Sequence, residues 1–113
     1  MRSNAMTKLP IFVGLSAMLI AGCVQNHGAA YINSNPQGAE VINLNDDTVL
    51  GVTPVKVWWR ESSEQRKFIN VRLQKSGFHD KTSSFWLTLR HNTKKSALND
   101  PQFVEIELQT EGQ

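Results

Sequence analysis

The 113-residue chain has a single cysteine, Cys23, so no disulfide can form within it. No run approaches the roughly 20 apolar residues of a transmembrane helix; the longest, Leu9 to Ile20, has twelve positions and one hydroxyl. The charge is unremarkable too. Of the 12 Lys+Arg, Arg2 and Lys8 precede Cys23, while all 10 Asp+Glu follow it. The stretch from Cys23 onward is therefore formally neutral, and it has no electrostatic footprint for a phosphate backbone, which excludes nucleic acid as the expected partner. His27, His79 and His91 each lack a second ligand three or four residues on, so metal-binding spacing is absent. No glycine-rich run could cradle a phosphate, and Ser62, Ser63, Ser83 and Ser84 lack the context of a nucleophile elbow. Asp46 and Asp47 are adjacent carboxylates, but they follow Asn45 in turn-forming sequence. No enzyme activity and no cofactor are expected.

What is present begins with an address. Lys8 is followed by the apolar stretch, and the stretch closes on Ile20, Ala21, Gly22 and Cys23. A positive start, a short apolar region and small residues before a cut are the parts of a secretory signal peptide. The last four residues resemble the lipobox of bacterial lipoproteins. That resemblance implies peptidase recognition of Ile20, Ala21 and Gly22, cleavage before Cys23, a diacylglycerol on the Cys23 thiol and fatty acylation of the new amino group. A thioether also removes the hazard of an unpaired thiol in an exported protein, and two or more acyl chains anchor stably where one does not. Val24 stands where a retention signal for the inner membrane would place aspartate, so the resemblance favours an outer-membrane lipoprotein with its domain facing the periplasm. Ser3, Asn4 and Ala5 resemble the scar of an expression tag, which makes Met6 the expected natural start. Residues 1–22 are thus expected to be a cleaved leader, 23–29 an acylated cysteine with a tether, and 30–110 a folded domain.

From Ala30 the apolar pattern has period two, with no sustained repeat at three and four residues. Strands are expected at Ala30 to Asn33, Ala39 to Leu44, Val55 to Arg60, Phe68 to Gln74, Phe85 to Arg90 and Phe103 to Gln109. Turn chemistry separates them at Asn35 to Gly38, Asn45 to Asp47, Gly51 to Pro54 and Ser76 with Gly77. The expected fold is all-β: a small antiparallel sandwich or sheet of about six strands. Alternation assigns Val55, Val57 and Trp59, then Ile69, Val71 and Leu73, then Phe85, Leu87 and Leu89, then Val104, Ile106 and Leu108 to the core.

Three turn motifs carry a second resemblance. Ser34 to Val41 (Ser-Asn-Pro-Gln-Gly-Ala-Glu-Val), Gly51 to Pro54 (Gly-Val-Thr-Pro) and Lys75 to Phe78 (Lys-Ser-Gly-Phe) together resemble the PEGA domain, a small β domain of bacterial and archaeal envelope proteins. The likeness spans roughly Tyr31 to Leu89. Pro36 and Gly38 reverse the chain, Gly51 permits a tight bend, Pro54 stiffens entry into a strand, and Gly77 folds Phe78 back. Gln37 replaces the naming glutamate, Phe78 replaces a tyrosine, and Glu61 to Lys67 is longer than the family's tight turn. The resemblance implies architecture, an envelope location and an interaction role, and it implies no catalytic residue.

Two clusters could recognise a partner. Trp58, Phe68, Trp86 and Phe103 lie out of phase with the aliphatic triplets of their strands, so they point away from the main core. Rings there could anchor a protein or stack on sugars, or they could lie beneath a second layer formed by a returning strand or residues 92–102. Arg90, His91, Lys94 and Lys95 form a basic patch that is either a solvated loop or a contact for lipid headgroups or anionic glycan. The expected function is a bilayer-anchored envelope lipoprotein serving as a protein-interaction or accessory subunit of an assembly. The alternative is a direct binder of peptidoglycan or surface polysaccharide.

Overall fold

The computed structural model describes residues 25–112. The expected leader, its lipobox and the acylation at Cys23 lie outside them. Seven strands and one short helix follow in order: β1 (Asn26–Asn35), β2 (Glu40–Asn43), β3 (Thr48–Val52), β4 (Val55–Glu61), β5 (Arg66–Gln74), β6 (Lys81–Thr88), α1 (Lys94–Asn99) and β7 (Gln102–Glu107). They form a three-stranded sheet, β4-β1-β7, and a four-stranded sheet, β3-β2-β5-β6. The inner faces pack on one another to make an all-β sandwich. The core joins Ala30, Ile32 and Ile106 of the first sheet to Val41, Ile69, Val71, Leu73 and Leu87 of the second. The expected triplets reach this core fully or in part, except Val57, which is half-buried beside it.

Three departures from the sequence expectation have physical causes. The first strand begins at Asn26, inside the segment expected to be a tether, so Asn26 to Ala29 belongs to the fold. Gly28 and Ala29 look like a flexible link because they are small. They are small because β1 is the middle strand of its sheet and is buried on both faces. A Cβ at Gly28 would lie 2.6 Å from the Thr88 carbonyl oxygen, so the two sheets touch where this residue has no side chain.

The second departure is β3, which contains Gly51 and brings the strand count to seven. Its residues are exposed or half-buried throughout, and an edge strand with little burial contrast leaves a weak period-two signal. The third lies in residues 92–102, where a basic loop was expected. Thr93 caps a helical turn by accepting from the Ser96 N–H at 3.1 Å, and the resulting α1 buries Ala97 completely. Beyond it β7 pairs with β1 in parallel, not antiparallel as expected, with Ala30 opposite Gln102 and Asn35 opposite Glu107.

The turns meet at one end of the sandwich. Gly38 and Gly77 have φ of 97° and 86°, conformations a side chain would strain. The N–H groups of Gly38 and Ala39 donate to Thr53 Oγ1 at 3.1 and 3.0 Å. Ser34 Oγ donates to the Pro36 carbonyl at 2.8 Å, so in the 2.7 Å Ser34–Thr53 pair the threonine hydroxyl is the donor. Thr53, only 4 % exposed, therefore fastens the 35–38 turn to the turn that enters β4.

Candidate functional site

The four out-of-phase aromatics do not share a surface. Two lie on the outer side of the three-stranded sheet and two on the outer side of the four-stranded sheet.

On the three-stranded sheet, α1 supplies the second layer. Ala97 packs down over β1 and β4, and Lys56 Nζ donates to the Leu98 carbonyl at 2.9 Å. Trp58 is half-buried there. Its ring stacks on His27 with centroids 6.0 Å apart, and the Lys94 ammonium sits 4.9 Å from its centre. Phe103, directly across from Tyr31, tilts against that ring at 5.5 Å and remains 76 % exposed. His27 falls in the segment that the sequence suggests is a tether. It is buried, because its backbone pairs in both directions with His91, at 2.7 and 3.0 Å, and Trp58 covers its ring.

On the four-stranded sheet nothing among the described residues covers the pair. Phe68 and Trp86 are direct cross-strand partners of β5 and β6, with ring centroids 5.0 Å apart and planes inclined by 55°. They are 46 % and 53 % exposed. The Arg66 guanidinium lies 4.4 Å from the Trp86 ring centre, a cation–π contact that keeps its charge at the surface. One row along the strands, Ser84 Oγ donates to Asn70 Oδ1 at 2.6 Å, which leaves the Asn70 amide N–H groups available. In the next row Arg72 stands opposite Thr82, with its Nε buried and unpartnered. An aromatic step beside a polar row can stack on a flat apolar surface and bond to hydroxyl or amide groups next to it.

The free edge of β6 is partly closed by one side chain. Gln102 Nε2 donates to the Trp86 carbonyl at 2.8 Å, and the Thr88 N–H donates to Gln102 Oε1 at 3.4 Å. The amide thus stands where a neighbouring strand would, and it steadies the backbone that carries Trp86.

The expected basic patch is less basic than its sequence. Arg90 donates to Asp100 at 2.8 Å, so that pair is neutral. The hydrogen bond from Arg90 and its positive charge hold the Asp100 carboxyl below the usual carboxylate range. His91 Nε2 lies 3.3 Å from the same carboxylate without making a hydrogen bond. Lys94 leans on Trp58, and Lys95 is exposed. Asp46, the first of the adjacent carboxylates, accepts from the Thr48 hydroxyl and N–H at 2.7 and 3.1 Å, the geometry of a turn. These bonds also lower its pKa.

Two clefts mark opposite ends of the sandwich. One, of about 660 Å³, lies at the turn end among Gly38, Glu40, Lys75, Asp80 and Glu111. The other, of about 410 Å³, lies where β1 begins, among Asn26, Gln65, Arg66, Leu89 and Arg90. Among the described residues no three His, Cys, Asp or Glu side chains are grouped to hold a metal ion. Sequence singled out neither Arg66 nor Arg72, because alternation identifies a face and not which charges border its rings. No family model matches the chain, and neither curated proteins nor solved structures give a match.

Proposed function

We propose that this chain is a lipoprotein of the bacterial cell envelope, anchored in the outer membrane through Cys23, whose PEGA-like β domain serves as an interaction or accessory subunit of an envelope assembly. The observation that carries the reading is the apolar stretch closing on Ile20, Ala21, Gly22 and the lone Cys23. The uncovered Phe68–Trp86 pair, bordered by Arg66, supplies the contact surface. Aromatic residues and arginine dominate the energetic centres of protein interfaces, and this group combines both.

Intact mass of the mature protein from its own bacterium tests the anchor. The expected product lacks residues 1–22 and carries a diacylglyceryl thioether with an acylated amino group; a bare thiol refutes it. A photo-crosslinking residue in place of Trp86, used in living cells, tests the surface. It should capture one envelope protein repeatedly, whereas the same probe at Glu105 should not.

A second reading draws on the polar row beside the rings. Asn70, Ser84 and Arg72 could bond the hydroxyl, amide or carboxylate groups of peptidoglycan while Trp86 stacks on a sugar face. Sedimentation with insoluble cell wall that is lost in Trp86→Ala would favour this glycan role, and capture of a protein with no sedimentation would favour the first.

A further inference from the structure

We infer that the end of the sandwich where β1 begins rests directly on anionic phospholipid headgroups, with Arg66 and Arg90 on the two walls of the cleft that meets the bilayer. This rests on the acylation of Cys23 proposed above. Cys23 and Asn26, the first residue of β1, are separated by three peptide steps. Even fully extended, these span only about 11 Å. The Asn26 end of β1 therefore cannot stand far from an acylated Cys23, and no linker exists to let the domain turn over.

The residues that Asn26 brings with it are basic. Asn26 Nδ2 donates to the Glu64 carbonyl at 2.8 Å, and the Leu89 N–H donates to the Gln65 carbonyl at 2.9 Å. These bonds hold the 62–65 loop and the segment after β6 together around one cleft. Arg66 is exposed on one side of it and Arg90 on the other, while Arg60 stands at the end of the adjoining β4. Of the acidic groups nearby, Glu61 pairs with Lys67 at 2.7 Å and Asp100 with Arg90 at 2.8 Å, which leaves Arg60 and Arg66 against the exposed Glu64 and one net positive charge at this end. At the opposite end Glu40, Asp80 and Glu111 line the cleft with Lys75, and Lys81 stands beside it at the start of β6, which leaves one net negative charge. The field is therefore polarised along the strands, with its positive end at the anchor. A basic residue is attracted to an anionic bilayer only within about a Debye length of its surface, so the charges act only because the link is short.

The test uses the mature protein as cells release it, reconstituted into phosphatidylglycerol or phosphatidylcholine vesicles and followed by amide hydrogen exchange. On phosphatidylglycerol, residues 62–66 and 89–92 should exchange at least several-fold more slowly than on phosphatidylcholine. High salt should remove the difference, and so should Arg66→Glu with Arg90→Glu. The charge-matched pair Lys75→Glu with Lys81→Glu, at the far end, should leave it intact. Equal exchange of the unmodified protein on both vesicles overturns the inference without requiring any variant, as does protection appearing at residues 35–38 and 76–80 instead. Intact mass separates this result from failure of the anchor. If the protein carries a free Cys23 thiol, acylation is refuted. Coupling that thiol to a maleimide phospholipid then puts docking to the same two-vesicle comparison, with the same outcomes supporting or overturning it.

Discussion

The two outer faces of the sandwich start from the same sequence pattern and end differently. Each sheet places rings out of phase with its aliphatic core residues: Trp58 and Phe103 on one, Phe68 and Trp86 on the other. On the three-stranded sheet a six-residue helix covers the β1–β4 part of the face, and Trp58 becomes part of a small second layer with His27 and Ala97, while Phe103 on β7 stays 76 % exposed beyond it. On the four-stranded sheet no element among the described residues returns, and Phe68 and Trp86 stay exposed with an arginine over one ring. A ring's direction from its strand is set locally, whereas its burial is set by whatever the rest of the chain lays over it. The covered face is a stability device and the bare one is available for binding.

Substitutions can break that contrast. The largest effect is expected beneath the covered face. Gly28→Ala drives a Cβ against the Thr88 carbonyl, a backbone atom that cannot swing aside. Overpacking of this kind costs about 1–3 kcal/mol, and thermal unfolding should show a clear fall in Tm. An unchanged Tm would mean that the sheets are not in contact there. Thr53→Ala should cost about 1–3 kcal/mol, because the Ala39 N–H and the Ser34 hydroxyl lose their partner at a buried site, while the Gly38 N–H keeps its second bond, to the Thr53 carbonyl at 3.1 Å. Thr53→Ser, which keeps the hydroxyl, should recover most of it in denaturant titrations.

Trp58→Ala and Trp86→Ala test the contrast most directly. Removing the half-buried Trp58 should cost roughly 2 kcal/mol, about half the loss for a fully buried tryptophan. Removing exposed Trp86 should cost less than about 1 kcal/mol, the scale of one cross-strand pair, while abolishing the partner crosslinks formed by a probe at Ser84, exposed on the same face. If the two variants unfold at the same denaturant concentration, the faces are not different in kind.

The smallest expected effect is acid sensitivity at the margin of the covered face. Asp100 is held below the usual carboxylate range by Arg90, so the pair contributes at neutral pH. Its contribution is lost only as pH falls through that lowered value, and raising the pH adds nothing. Both groups are exposed, so the change should be slight. A carboxyl NMR titration of Asp100 should shift upward in Arg90→Gln; an unmoved titration would show that the two groups are independent.

Sequence conveyed the all-β class and eleven of the twelve proposed core positions, because strict alternation in β5 and β7 reports inward-facing residues directly. It did not convey the ends of β1. Gly28 and Ala29 owe their size to close approach by other segments, and nothing local distinguishes such residues from a linker. Nor did it convey α1, since one helical turn has too few residues for a 3.6-residue period to emerge. For the candidate site, the direction of all four rings was legible. The division between covered and bare was not, because it depends on where residues 94–99 come to rest. The compensation of Arg90 by Asp100, ten residues away across a turn and helix, was hidden for the same reason.

The central position of β1 also governs when the domain can exist. Its neighbours are β4 on one side and, on the other, β7, the last strand among the described residues, so residues 30–35 wait for partners at 102–107. A chain that emerges from a ribosome N-terminus first must hold β1 unpaired on that side until residues 102–107 are free. The complete sandwich therefore closes only after the whole of it has been made.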